Sequence, residues 1–153
     1  MKKTGIVLSI LLFLVTVQST FFYLFIQKVR FHEWVLFNAC APSSLAYLTG
    51  FTVYLFNNDK TFIYLGILPM FFFGTLGMFV IPWGGMNIIP QIGHIIMTLN
   101  ILWLSISTFK EKVFKSATIG LFLSIFLFSI FIGIQQTYVK NHQDDFQKIL
   151  MIK

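Results

Sequence analysis

Residues 116–139 read SATIGLFLSIFLFSIFIGIQQTYV, a run without a single charged side chain, bounded by Lys115 and Lys140. A bilayer core about 30 Å thick takes about 20 apolar residues of α-helix, because every backbone amide inside it must bond within its own segment. The stretch therefore predicts a membrane-crossing helix. Runs of the same kind occupy 5–27, 35–56, 61–82 and 86–108. The connections between them are only a few residues long, so consecutive helices are expected to be antiparallel neighbours. The expectation is an all-α, polytopic integral membrane protein: one transmembrane domain over 1–153, a bundle of five helices with a short tail at 140–153.

Composition leaves little room for anything else. Of 153 residues, 57% are hydrophobic and 10% charged, whereas soluble chains carry about 25% charged residues. Lys2 and Lys3 ahead of an apolar run also open secretory signals. Here the run continues to Ile26, past the length of a signal core. An uncleaved first helix is expected, and cleavage would leave four helices.

The formal charge of +6 and pI near 9.6 raise the question of a nucleic-acid partner. Lys and Arg instead sit at segment ends beside Trp, Tyr and Phe, as membrane anchors do. The expected partner is the lipid bilayer, with no nucleic acid. Basic clusters at Lys2–Lys3 and Lys110–Lys115 fall on one side of the bundle, with Lys60. Lys28, Arg30, Lys140, Lys148 and Lys153 fall on the other. By the positive-inside rule the N-terminus is expected in the cytoplasm and the C-terminus outside.

Small residues mark expected helix contacts, because in lipid close backbone approach replaces hydrophobic burial as the driving force. Ala39, Ser43, Ala46 and Gly50 form such a stripe, as do Gly66, Gly74 and Gly77. Gly120 with Ser124 and Ser129 with Gly133 mark the last span. Pro42 and Pro69 are expected to bend their helices, while Pro90 falls in a first turn where its missing amide costs little. Cys40, the sole cysteine, excludes an internal disulfide and a dithiol pair and is read as a small packing residue.

The span at 86–108 carries the polar signal. Asn87, Gln91, His94 and Thr98 recur at i, i+4, i+7 and i+11, one polar stripe on an apolar helix. Facing hydrocarbon, such groups would lose their hydrogen bonds at a few kcal/mol each, so the stripe is expected to face the bundle interior or a wet cavity. Asn100 lies off it, as an interhelical hydrogen bond. At about 1.5 Å per residue, His94 lies about 12 Å from the outer end of its span and Gln91 about 8 Å. Asn38, Ser43, Gln135, Gln136 and Gln18 also fall in the outer halves of their spans, with His32 and Glu33 at the mouth.

Three functional readings follow. The first is a small polar or metal ligand held in an outward-facing intramembrane cavity by His94, Gln91, Asn87, Asn38 and Ser43, in transport or within a membrane complex. A metal there would draw on His94, His32 and Glu33. The second is a non-catalytic accessory subunit whose polar stripe only packs helices. The third is a membrane-embedded enzyme or haem-binding protein, with Ser43 or Ser44 beside His94 as the conceivable nucleophile and base. Paired carboxylates and a phosphate-binding glycine loop are missing from the spans, which weakens the enzyme reading. The cofactor, if any, is left open. A chain this short is expected to act as a homo-oligomer or as a subunit of a complex.

Overall fold

The computed structural model describes residues 2–85 and 88–144. It is built from helices, with no strand among the described residues. They are α1 (Lys2–Ile26), α2 (Phe31–Phe37), α3 (Cys40–Asn57), α4 (Ile63–Val80), α5 (Ile88–Glu111) and α6 (Phe114–Asn141). Four of them, α1, α4, α5 and α6, are long and apolar enough to cross a membrane. α3 packs between α1 and α4, but Ser43, Ser44, Thr49 and Thr52 make it less apolar. Thr49 and Thr52 turn their hydroxyls back onto the carbonyls of Leu45 and Leu48.

The second predicted span is not one helix. The chain turns out of helical geometry at Asn38, with φ −107° and ψ 58°, separating the short α2 from α3. Pro42 accounts for the break. Its ring cannot stack on the carbonyl four residues back, which is that of Asn38, and it has no amide to offer. The Asn38 carbonyl instead accepts from the amide of Ala41 at 3.2 Å.

Pro69 raises the same difficulty within α4. Its missing amide would have bonded the Leu65 carbonyl, and the Ser124 hydroxyl of α6 donates to that carbonyl at 2.9 Å. The helix tightens at Ile63–Gly66 and widens at Phe71–Thr75 instead of breaking. It ends at Ile81, in extended geometry with ψ 128°, as expected for a residue preceding proline.

Glycines set the helix spacing. A Cβ on Gly50 would lie 2.2 Å from the Phe62 carbonyl oxygen, and one on Gly66 would lie 2.4 Å from the Tyr47 amide nitrogen. These reciprocal contacts clamp α3 to α4. Gly5 of α1 accommodates the Trp103 ring of α5, and Gly120 of α6 lies against the Thr61 carbonyl. The stripe on α3 is rotated from its expected position: Ala46 is exposed, and Ser43, Tyr47, Gly50 and Tyr54 form the buried face. Ser129 and Gly133 are also exposed rather than packed. Leu12, Tyr47, Ile63, Met70 and Leu104 form the fully buried centre.

One end of the bundle is closed by ionic contacts. Lys60 is only 2% exposed, and its ammonium bonds Glu111 at 2.8 Å and the Ser107 hydroxyl. It also lies over the rings of Tyr54 and Trp103. Beside it, the Asp59 carboxylate accepts from the Thr61 amide and hydroxyl and from the Ser116 hydroxyl.

Two outcomes are expected. Gly120→Ala pushes a methyl group to 2.3 Å from the Thr61 carbonyl oxygen and should destabilise the detergent-solubilised protein by about 1–3 kcal/mol. Gly93→Ala, with nothing within 4 Å, should cause no loss in the same thermal melts. The Thr61 amide, followed by the hydroxyls, holds the Asp59 carboxyl below its ordinary 3.8. Its contribution is thus fully present above 3.8 and lost as the pH falls through the lower folded value. The melting temperatures of wild type and Asp59→Asn should differ at neutral pH and converge below 3.8.

Candidate functional site

The predicted stripe on α5 faces inward, and its side chains meet neighbouring helices. Gln91 is fully buried and His94 is 3% exposed. The end of α4 leaves carbonyls without helical donors. The Gln91 carboxamide nitrogen donates to two carbonyls in this region, those of Ile81 at 2.6 Å and Met78 at 3.4 Å. Its oxygen is left facing Nδ1 of His94 at 3.1 Å. A carboxamide oxygen can only accept, so Nδ1 carries the imidazole proton and Nε2 presents its lone pair. That lone pair faces Sγ of Cys40 at 3.4 Å.

Cys40 is the first residue of α3, placed there by the Pro42 break, and it is half-buried. Its thiol also lies 3.4 Å from the Phe73 carbonyl, in the widened turn of α4. A Cβ on Gly77 would stand 3.1 Å from Cε1 of His94, so a glycine in α4 gives the imidazole its place. Two helices, α3 and α5, therefore supply a thiol, an imidazole and a carboxamide in succession, with α4 packed against them.

The remaining stripe and outer-half residues are dispersed. Thr98 donates to the His94 carbonyl at 2.9 Å and accepts from Thr75 at 3.0 Å. Asn100 donates to the Leu8 carbonyl at 3.1 Å, linking α5 to α1. Asn38 reaches the Ser19 hydroxyl at 2.9 Å, and Gln135 the Leu36 carbonyl at 2.7 Å. The hydroxyls of Ser43 and Ser44 turn back onto the Ala39 and Cys40 carbonyls. Gln18 and Gln136 face outward. Asn87 lies outside the described residues.

His32, Glu33 and His94 are not brought together. His32 faces the Tyr138 hydroxyl at 3.1 Å, and that ring also stacks on His142. Glu33 pairs with the Arg30 guanidinium and accepts from the Arg30 amide. The guanidinium holds the Glu33 carboxyl below the usual carboxylate range, against the opposing effect of burial. Among the described residues, no three His, Cys, Asp or Glu side chains gather as a metal-ligand set.

Cys40 was legible in the sequence only as packing. One signal pointed further: it lies one turn from Ser43 and Ser44 on the same face of α3, at a depth close to that of His94. Comparisons with protein-family models, with curated proteins and with solved structures found no match.

Gln91→Leu would strand the Ile81 carbonyl and the Nδ1 proton of His94 together. It should destabilise the protein by about 1–3 kcal/mol in thermal unfolding in detergent, while Gln136→Leu at an exposed position should cause no such loss.

Proposed function

We propose that the chain is a five-helix membrane protein serving as a non-catalytic accessory subunit of a membrane complex, with α3 as the fifth crossing segment. The N-terminus lies in the cytoplasm and the C-terminus outside. Gln91, Thr98 and Asn100 hold α5 in register with α4 and α1, as interhelical hydrogen bonds do in lipid. The observation that carries this reading is that the Gln91 carboxamide nitrogen, the Thr98 hydroxyl and the Asn100 carboxamide nitrogen each bond a neighbouring segment of the bundle.

The outer surface of α6 supports the subunit role. Ser129, Gly133 and Thr137 recur every four residues along an open groove of about 550 Å³, with Ile130, Ile134, Tyr138 and Asn141 as its other walls. Small residues at this spacing admit the backbone of another helix closely. The partner would therefore be a membrane helix, either of another protein or of a second copy.

The ligand-binding reading draws on a different observation, the Cys40 thiol beside the His94 imidazole. A small polar or soft ligand at that pair would displace an existing hydrogen bond.

The subunit reading is tested by Gly133→Phe, which fills the groove. Purified in mild detergent from its native membrane, the wild type should elute at a larger mass than the variant, with the thermal stability of the chain unchanged. Equal masses at the size of a monomer would overturn it.

A further inference from the structure

The turn between α5 and α6 gathers charge of one sign at the end of the bundle that Lys60 closes. α5 ends at Glu111 and α6 begins at Phe114, and the chain reverses in that space through Lys112, whose φ of 53° is left-handed. Lys110, Lys112 and Lys115 are all exposed there. Lys2 and Lys3 belong to the same end, because Lys2 donates to Asn58 at 3.0 Å and the neighbouring Asp59 accepts from Ser116 in the first turn of α6. The acidic side chains of this end are already engaged. Glu111 bonds the Lys60 ammonium at 2.8 Å and the Ser107 hydroxyl at 3.0 Å, and Asp59 is held by Thr61 and Ser116. Among the described residues, the ammonium groups of Lys3, Lys110, Lys112 and Lys115 enter no ion pair.

What borders the lysines indicates the counter-charge. Phe109 and Phe114 flank the turn with their rings edge to face, 5.6 Å between centroids, and they are 70% and 49% exposed. At the end of membrane-crossing helices, exposed phenyl rings lie against acyl chains, and the lysines beside them reach the headgroup layer. An acidic protein segment would leave the rings to lipid in any case, whereas a phospholipid satisfies both from one molecule. We propose that the turn between α5 and α6 is a binding site for anionic phospholipid, with Lys110, Lys112 and Lys115 on the headgroup and Phe109 and Phe114 on the acyl chains. The proposal rests on the reading of the chain as a membrane protein, and it holds whichever side of the membrane this end faces.

Net charge distinguishes the ligand. Phosphatidylcholine offers the same phosphate but cancels it with its own choline cation, so a basic turn gains little from it. Phosphatidylglycerol keeps the phosphate charge, and each lysine near such a surface contributes about a fivefold gain in association. The attraction is electrostatic and falls as salt shortens the screening length, from about 10 Å at 0.1 M to about 3 Å at 1 M.

The test has two stages. Purified full-length protein is first reconstituted into phosphatidylcholine vesicles and washed with alkaline carbonate; a chain removed by the wash would refute the membrane reading itself. The retained protein is then taken into mild detergent with equal amounts of phosphatidylglycerol and phosphatidylcholine, and native mass spectrometry counts the first lipid bound. Wild type should favour phosphatidylglycerol by at least about fivefold, the scale of one lysine. The combined variant Lys110→Gln, Lys112→Gln and Lys115→Gln should bring the ratio close to one with its thermal melt unchanged, and Lys28→Gln with Lys140→Gln should leave it as in wild type. Lys112→Gln alone, should the combined variant not fold, is expected to lower the ratio partway. Equal binding of the two lipids by a carbonate-resistant wild type, or a wild-type ratio in every folded lysine variant of the turn, would overturn the site and leave the turn to an acidic protein segment. Displacement of the lipid by inorganic phosphate at matched ionic strength would overturn it in favour of a free anion.

Discussion

The reciprocal contact of α3 and α4 at Gly50 and Gly66 is the constraint from which the rest of the bundle follows. Each helix brings its backbone against the other's where a glycine removes the side chain between them. Within a membrane, lipid tails compete on equal terms for apolar side chains, and close packing must supply what hydrophobic burial supplies in water. With those two helices joined, Tyr47 and Ile63 become fully buried. The remaining helices then have a surface to complete: α5 through Gly74 and Gly77, and α6 through Gly120.

Prolines divide the same structure differently. Pro42 and Pro69 each remove one amide, but the consequences diverge with what lies nearby. At Pro69 the serine of another helix reaches the exposed carbonyl and the helix continues. At Pro42 the chain breaks, leaving α2 as a separate segment and Cys40 as the leading residue of α3. One substitution of this kind thus shapes the bundle, and the other places a thiol beside an imidazole.

Much of this was legible in the sequence, because apolar length and a polar stripe are local patterns. The helical class, four of the five apolar runs as membrane-length helices and the inward orientation of Gln91 and His94 follow from spacing alone. The break at Asn38 was not, since Pro42 can either bend a helix or end it, depending on its neighbours. The rotation of α3 escaped for a related reason. Ala46 and Tyr47 are adjacent, and small size favoured the first while the partner surface at Gly66 selects the second. The meeting of Cys40 with His94 joins residues 54 positions apart, and depth alone does not say which of several helix faces will touch. Lys60 shows the same limit: as a charge in a short connection it signals orientation, whereas its burial depends on Glu111 and two aromatic rings from elsewhere in the chain.

That buried cation also ties together segments far apart in sequence. Lys60 lies in the connection that follows α3, while its carboxylate partner lies 51 residues further along, at the end of α5. An ammonium only 2% exposed needs such a partner, because a buried charge left alone is costly. The end of the bundle at Lys60 is therefore complete only with α5 in place to its last residue.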